Sequence, residues 1–173
     1  VHGAPTATPA RGATDRPPQG VPVGLGSKQD ESQGDAVSTA HEVTRREAID
    51  QYRIVGALPE PDLQGLVELA ATVCNVSTAV INIIDDRAQH QVAAVGVQAA
   101  SCSVEDSMCA AVLVDPRRVV VSDAREDPRF RDNAFVTGAI ASVRFYASSP
   151  LVTPAGVAIG TLCVFDDEVG QLT

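Results

Sequence analysis

Two short runs, TAVINIID (78–85) and VAIGTLCVFD (157–166), are apolar at almost every position instead of every second one. A strand with one wet face alternates, so a β-branched run without alternation reads as a strand covered on both faces. Two such strands call for a sheet with packed material above and below it. That requirement sets the fold class before any other element is placed.

Each run has a neighbour one short turn away. Asp85-Asp86-Arg87-Ala88 leads into QHQVAAVGV (89–97), and Thr153-Pro154-Ala155-Gly156 joins SVRFYASSPLV (142–152) to the second run. Proline at the second turn position and glycine at the fourth suit a type I turn closed by a residue of positive φ. Strands joined so tightly are antiparallel. RRVVVSD (117–123) adds another strand.

Helices supply the cover. In residues 38–55, Val43, Ile49, Tyr52 and Val55 stand among charges as one face of an amphipathic helix. In residues 59–75, Pro61 suits a first turn, and Leu63, Leu66, Val67, Ala70, Val73 and Cys74 follow helical spacing. This places Cys74 on a buried stripe as an inert core thiol. DSMCAAVLV (106–114) reads as a short helix after a loop through 98–105, with Asp106 or Ser107 as its N-cap. DAREDPRFRDNAFVTGA (123–139) is loop and helical turn, broken by Pro128 and Gly138. The order predicts an α+β domain, an antiparallel sheet covered by helices.

Composition narrows the setting. Residues 1–37 are rich in Pro, Gly, Ala and Ser and cannot bury enough apolar surface to offset their ordering entropy, so a disordered tail is expected, with the folded domain at 38–173. Apolar residues make up 45% of the chain and aromatics only 3%, which implies an aliphatic core. A net charge of −9 argues against nucleic acid and anionic membrane as partners. No apolar run approaches the roughly 18 residues of a spanning helix, and no signal-peptide pattern opens the chain. Four cysteines without C-x-x-C spacing suit a reduced cytoplasm.

The second half carries a family pattern: D-A-R-x-D-P-R-F at Asp123–Phe130, then Asn133, Val136 and Gly138, R-F-Y-A at Arg144–Ala147, Pro150-Leu151, Gly156, and G-T-L-C-V at Gly160–Val164. This resembles the GAF domain, of the subtype found in bacterial sensor histidine kinases, diguanylate cyclases and phosphatases. The likeness extends back to about Arg45. It implies a central antiparallel sheet of five or six strands, terminal helices on one face, and short helices and loops over a cavity on the other. Asp106-Ser107-Met108-Cys109-Ala110 follows the subtype's D-S-F-C-A, which sets this helix beside the cavity. Gln89-His90-Gln91-Val92-Ala93 departs from the subtype's Q-W-F-K-S, and Val55–Glu60 from its L-D-T-P-P-E. The chain stops at Gly170-Gln171-Leu172-Thr173, where the resemblance places the start of a final helix; that helix is expected to be missing here.

The function expected from the resemblance is sensory: a module that binds an unidentified small molecule and passes occupancy through its terminal helices to an effector domain outside this chain. The ligand-binding set it implies is Ser107, Met108, Cys109, Asp123, Arg125, Arg129, Phe130, Arg144 and Tyr146; no cofactor is identified. A homodimer through the terminal helices is expected, with Val43, Ile49 and Tyr52 on the first helix face. The alternative is a dimerisation or docking module with a filled cavity. A third reading is a free-methionine sulfoxide reductase, with Cys102 and Cys109 in the relevant loop and helix. Against it, Glu105 and Asp106 are expected to raise the Cys109 thiol, and the reductase's glycine-rich motif and downstream cysteine are missing. His2, His41 and His90 are too scattered for zinc, and His90 reads as a half-exposed strand residue. No phosphotransfer H-box, glycine-rich ATP motif or G-G-D-E-F is present, so no enzyme activity is expected. The Asp123–Phe130 loop fits either an arginine closing over an acidic ligand or a loop tied by its own ion pairs. Arg144 and Tyr146 fall on one strand face and Phe145 on the other, with Phe145 the core residue. Gly160 leaves room for a helix or a ligand.

Overall fold

The computed structural model describes residues 44–57, 60–115 and 117–172. The tail expected at 1–37 and the opening of the first predicted helix lie outside them. Helix α1 occupies 44–52, and α2 is Pro61–Cys74. Then come β1 (Thr78–Ile84), β2 (Ala88–Val95), β3 (Ser101–Ser103), α3 (Met108–Leu113), β4 (Val119–Val121), α4 (Ala134–Thr137), β5 (Phe145–Val152) and β6 (Ala158–Asp166). The six strands form one antiparallel sheet in the order β3-β2-β1-β6-β5-β4.

The two non-alternating runs are the central pair of this sheet, β1 and β6. Every residue of β1 is buried. The turn after β5 closes as its residues require: Gly156 has φ 84° and its N–H donates to the Thr153 carbonyl at 2.8 Å. One strand was not foreseen. Ser101–Ser103, expected as loop, pairs with the start of β2 as an edge strand; three residues are too few to show a periodicity.

α2 packs on one face. Val67 is fully buried there against Ala79, Ile81, Phe145, Ala147 and Val164. The predicted stripe needs correction, because Leu66 is 51% and Val73 74% exposed, and Cys74 is only half-buried. Helical spacing identifies an apolar arc but cannot say how much of it the sheet will cover. On α1 only Ile49 is buried, against Ile83 and Ile159, while Tyr52 and Val55 face outward. The α2 helix ends at Asn75, whose left-handed backbone lets the Val76 N–H close on the Ala71 carbonyl.

The other face carries α3, α4 and the intervening segment. Val80, Ile84, Met108, Cys109, Val112, Phe130, Val136, Val143, Tyr146 and Cys163 form its core. Phe145 and Tyr146 thus point to opposite faces as the alternation requires, although Arg144 precedes the strand itself. No helix among the described residues is long and apolar enough to cross a membrane.

Candidate functional site

The alternation of β1, β5 and β6 brings polar side chains to the middle of the α3-facing surface. Asn82 pairs in register with Thr161, Val80 with Cys163, and Cys163 in turn with Ser148. Asn82, Thr161, Ser148, Tyr146 and Cys163 are all buried. Apolar side chains would fill this volume at lower desolvation cost, so the cluster marks a site.

Cys109 of α3 enters that cluster. The Tyr146 hydroxyl donates to its sulfur at 3.2 Å and Asn82 Nδ2 at 3.3 Å. The Cys163 sulfur lies 3.4 Å away and also accepts from Asn82 Nδ2, at 3.4 Å. Hydrogen bonds from Cys163, Thr161, Tyr146 and Asn82 bring the Cys109 thiol down to about 7, against the effect of its burial. Cys163 moves the other way, its proton held by Cys109 and by burial. Burial also keeps the Tyr146 hydroxyl protonated, and so a donor. The expectation that Glu105 and Asp106 would raise Cys109 is therefore corrected. The thiol that Asp106 does help to raise is Cys102, through burial first, with Cys109 and Asp106 contributing. Asn82 Oδ1 and Ser148 Oγ are buried without a partner among the described residues.

Beside the sulfurs lies a cavity of about 40 Å³, bordered by Gln89, Gln91, Met108, Cys109, Tyr146 and Cys163. It has room for water-sized guests, whereas drug-sized ligands occupy about 300–1,000 Å³. Its roof is fastened. Ser107, the α3 N-cap, accepts from the Ala110 N–H at 2.9 Å and donates to Gln89 Oε1 at 2.6 Å. Asn133 caps α4 through Phe135 N–H and donates to the Asp106 carbonyl at 2.8 Å, joining α4 to the entry of α3. Arg144 donates to the Val136 and Val143 carbonyls, each at 3.0 Å.

Of the expected ligand-binding set, Ser107, Met108, Cys109 and Tyr146 meet at this site. Phe130 lies behind it, edge-on to Tyr146 with ring centres 5.2 Å apart. Asp123, Arg125 and Arg129 do not border the cavity. Asp123 takes both the backbone N–H and the guanidinium of Arg125, and Asp127 does the same for Arg129. The Arg125 guanidinium holds the Asp123 carboxyl down to about 2. These are the ion pairs of the loop-tying reading. Arg129 also lies over the Phe130 ring and borders an outer groove of about 430 Å³ with Arg117 and Arg118, beside edge strand β4.

Gly160 is corrected as well. A Cβ there would sit 1.9 Å from the Asn82 carbonyl oxygen, so the room serves the β1 backbone, not a helix or a ligand. His90 is half-buried on β2, with Nε2 2.9 Å from Asp85. Among the described residues no His/Cys/Asp/Glu group could hold a metal ion. Asn82, Thr161, Gln89 and Cys163 were missed as site residues. One signal was available: an amide in the middle of an otherwise apolar strand.

A family model described as GAF domain matches residues 59–172. Over 127 residues the chain is 33% identical to a cyclic di-GMP phosphodiesterase of Pseudomonas aeruginosa, covering 73% of this chain and 22% of that protein. The chain therefore spans about a fifth of that relative's length. The GAF domain of a phosphoenolpyruvate-protein phosphotransferase from Coxiella burnetii superposes with a TM-score of 0.55 at 14% identity, covering 78% of this chain and 82% of that one. A free methionine-R-sulfoxide reductase from Neisseria meningitidis gives 0.53 at 16% identity, covering 76% and 78%. At such identities these structures share the fold alone.

Proposed function

From the premise that the chain belongs to the GAF domain family, we propose that it is a regulatory module that senses a small effector between its sheet and the α3–α4 segment. The observation that carries this is the polar set around the cavity, with buried Gln89, Tyr146 and Cys109 and half-buried Gln91 at its border, and Asn82 Oδ1 close by without a partner among the described residues. A core under no demand but stability would not keep an orphaned amide oxygen, which costs about 1–3 kcal/mol. Because the cavity is only about 40 Å³, an effector larger than a few atoms enters by displacing α3 and breaking the Ser107–Gln89 bond. Occupancy and the position of α3 are then one equilibrium, biased by the effector's differential affinity for the two arrangements. The module binds rather than turns over. Its output is a separate domain of cyclic-dinucleotide signalling, by likeness to the phosphodiesterase. All four cysteines are free thiols, which supports a cytoplasmic setting.

The test is native against denatured mass of the full chain, followed by a thermal-shift screen of metabolites. Expected is a mass lost on denaturation, or a compound that stabilises the parent but not Gln91→Leu. A screen with neither result overturns the effector reading.

A second reading has its own observation. On α2, Leu66, Leu69 and Val73 are 51, 59 and 74% exposed at the i, i+3, i+7 spacing of a helix–helix seam. A homodimer or docking role through the helices follows. Sedimentation of Leu66→Glu/Leu69→Glu should show a monomer where the parent is a dimer; a monomeric parent removes the homodimer.

A further inference from the structure

Cys109 and Cys163 come from elements 54 residues apart, yet their sulfurs lie 3.4 Å from each other. Disulfide formation needs a closure of these atoms to about 2.0 Å. Two donors other than a thiol, Tyr146 Oη and Asn82 Nδ2, point at the Cys109 sulfur. Ordinary core cysteines behave as small hydrophobes and do not gather donors. Both sulfur-bearing residues also border the 40 Å³ cavity, which admits a molecule of a few atoms and nothing the size of a peptide thiol.

We propose that Cys109 and Cys163 are a peroxide-oxidised thiol pair, closed by hydrogen peroxide into a disulfide that ties α3 to the central strand β6. In the first step the Cys109 sulfur attacks one peroxide oxygen. An S–O bond forms, the O–O bond breaks, and the departing hydroxide takes the thiol proton and leaves as water. Cys109 is then a sulfenic acid. In the second step the Cys163 sulfur attacks the Cys109 sulfur; the S–S bond forms, the S–O bond breaks, and the released hydroxide leaves as water with the Cys163 proton. Two thiols and one peroxide become one disulfide and two waters, with two electrons passing from sulfur to oxygen. The hydrogen bonds that favour a Cys109 thiolate support the first step; in the second, Cys163 has to give up its proton, which passes to the departing hydroxide as the sulfur attacks. Closure takes the Cys109 sulfur from Tyr146 and Asn82, so it reports on the same helix that roofs the cavity. The pair needs no effector, so it stands apart from the effector reading.

The remaining thiols set the controls. Cys74 and Cys102 are half-buried and have no hydrogen-bonded thiol among the described residues. The reduced, folded chain is treated with hydrogen peroxide, denatured, alkylated and peptide-mapped. The expected product is a peptide pair joining Cys109 to Cys163, lighter by two hydrogens than its reduced components. Oxidised glutathione, too large for the cavity, should yield none at matched oxidising equivalents. In Cys163→Ser, oxidation should stop at a Cys109 sulfenic acid trapped by dimedone; Cys163→Ala provides the same test if serine perturbs folding. A disulfide between Cys102 and Cys109, or Cys109 left fully alkylatable in the folded parent while the urea-unfolded chain oxidises, overturns the proposal. Neither result depends on finding an effector, so the two readings fail separately.

Discussion

Replacing Ser107 with alanine tests the fastening of α3 directly. The hydroxyl does two jobs in a buried position: it caps the Ala110 N–H at 2.9 Å and donates to Gln89 Oε1 at 2.6 Å. Loss of a serine cap costs about 1 kcal/mol. The second loss leaves the buried Gln89 oxygen without its donor, at about 1–3 kcal/mol. Together the variant should be destabilised by about 2–4 kcal/mol, a fall in melting temperature of roughly 5–15 °C at about 2–4 °C per kcal/mol. Urea unfolding gives the free energy, and a cycle with Gln89→Met isolates the second component. Methionine removes the orphaned acceptor, so the double variant should cost less than the sum of the singles by about 1–2 kcal/mol. A Ser107→Ala chain within about 0.5 kcal/mol of the parent would refute the assignment and return the cap to Asp106. An additive cycle would refute the Gln89 contact.

Gly160→Ala should be among the most damaging single-methyl changes in the sheet. Its Cβ would meet the Asn82 carbonyl at 1.9 Å between the two central strands, so the cost reaches or exceeds the about 1–3 kcal/mol typical of overpacking, read from urea midpoints. An unchanged midpoint would show that β1 and β6 are less closely apposed. For Asp123 the acid limb is diagnostic. Its carboxyl falls from 3.8 to about 2 beside Arg125, so its contribution is complete above 3.8 and disappears as pH falls through about 2. Arg125→Gln should therefore be less stable than the parent at pH 5 and converge on it as pH falls towards 2; superimposable urea midpoints from pH 5 to 2 (about the span of that titration) count against the pair.

Much of the architecture is written locally. The unbroken apolar runs name the central strands, and Thr153–Gly156 names its turn, because burial on both faces and positive φ select residue types at single positions. The resemblance carried by Asp123–Val164 added the layer order. Asp123, Arg125 and Arg129 of the expected ligand set lie away from the cavity for a reason that spacing cannot show. Arg125 and Arg129 are each satisfied by a carboxylate two residues earlier, and a sequence does not reveal whether an arginine spends its donors at home.

What the sequence determined by itself is the class, an antiparallel sheet covered by helices; that the helix opening at Ser107-Met108-Cys109 lies beside the cavity came from the family resemblance. What only the tertiary structure decided is the site's chemistry. Asn82, Cys109, Tyr146 and Cys163 meet because the registers of β1 on β6 and β6 on β5 set Asn82 opposite Thr161 and Ser148 opposite Cys163. A slip of one residue would turn the side chains of the slipped strand to the α2 face. Register is fixed by the packing of the whole core, so the contact between sulfurs 54 residues apart appears in no local pattern.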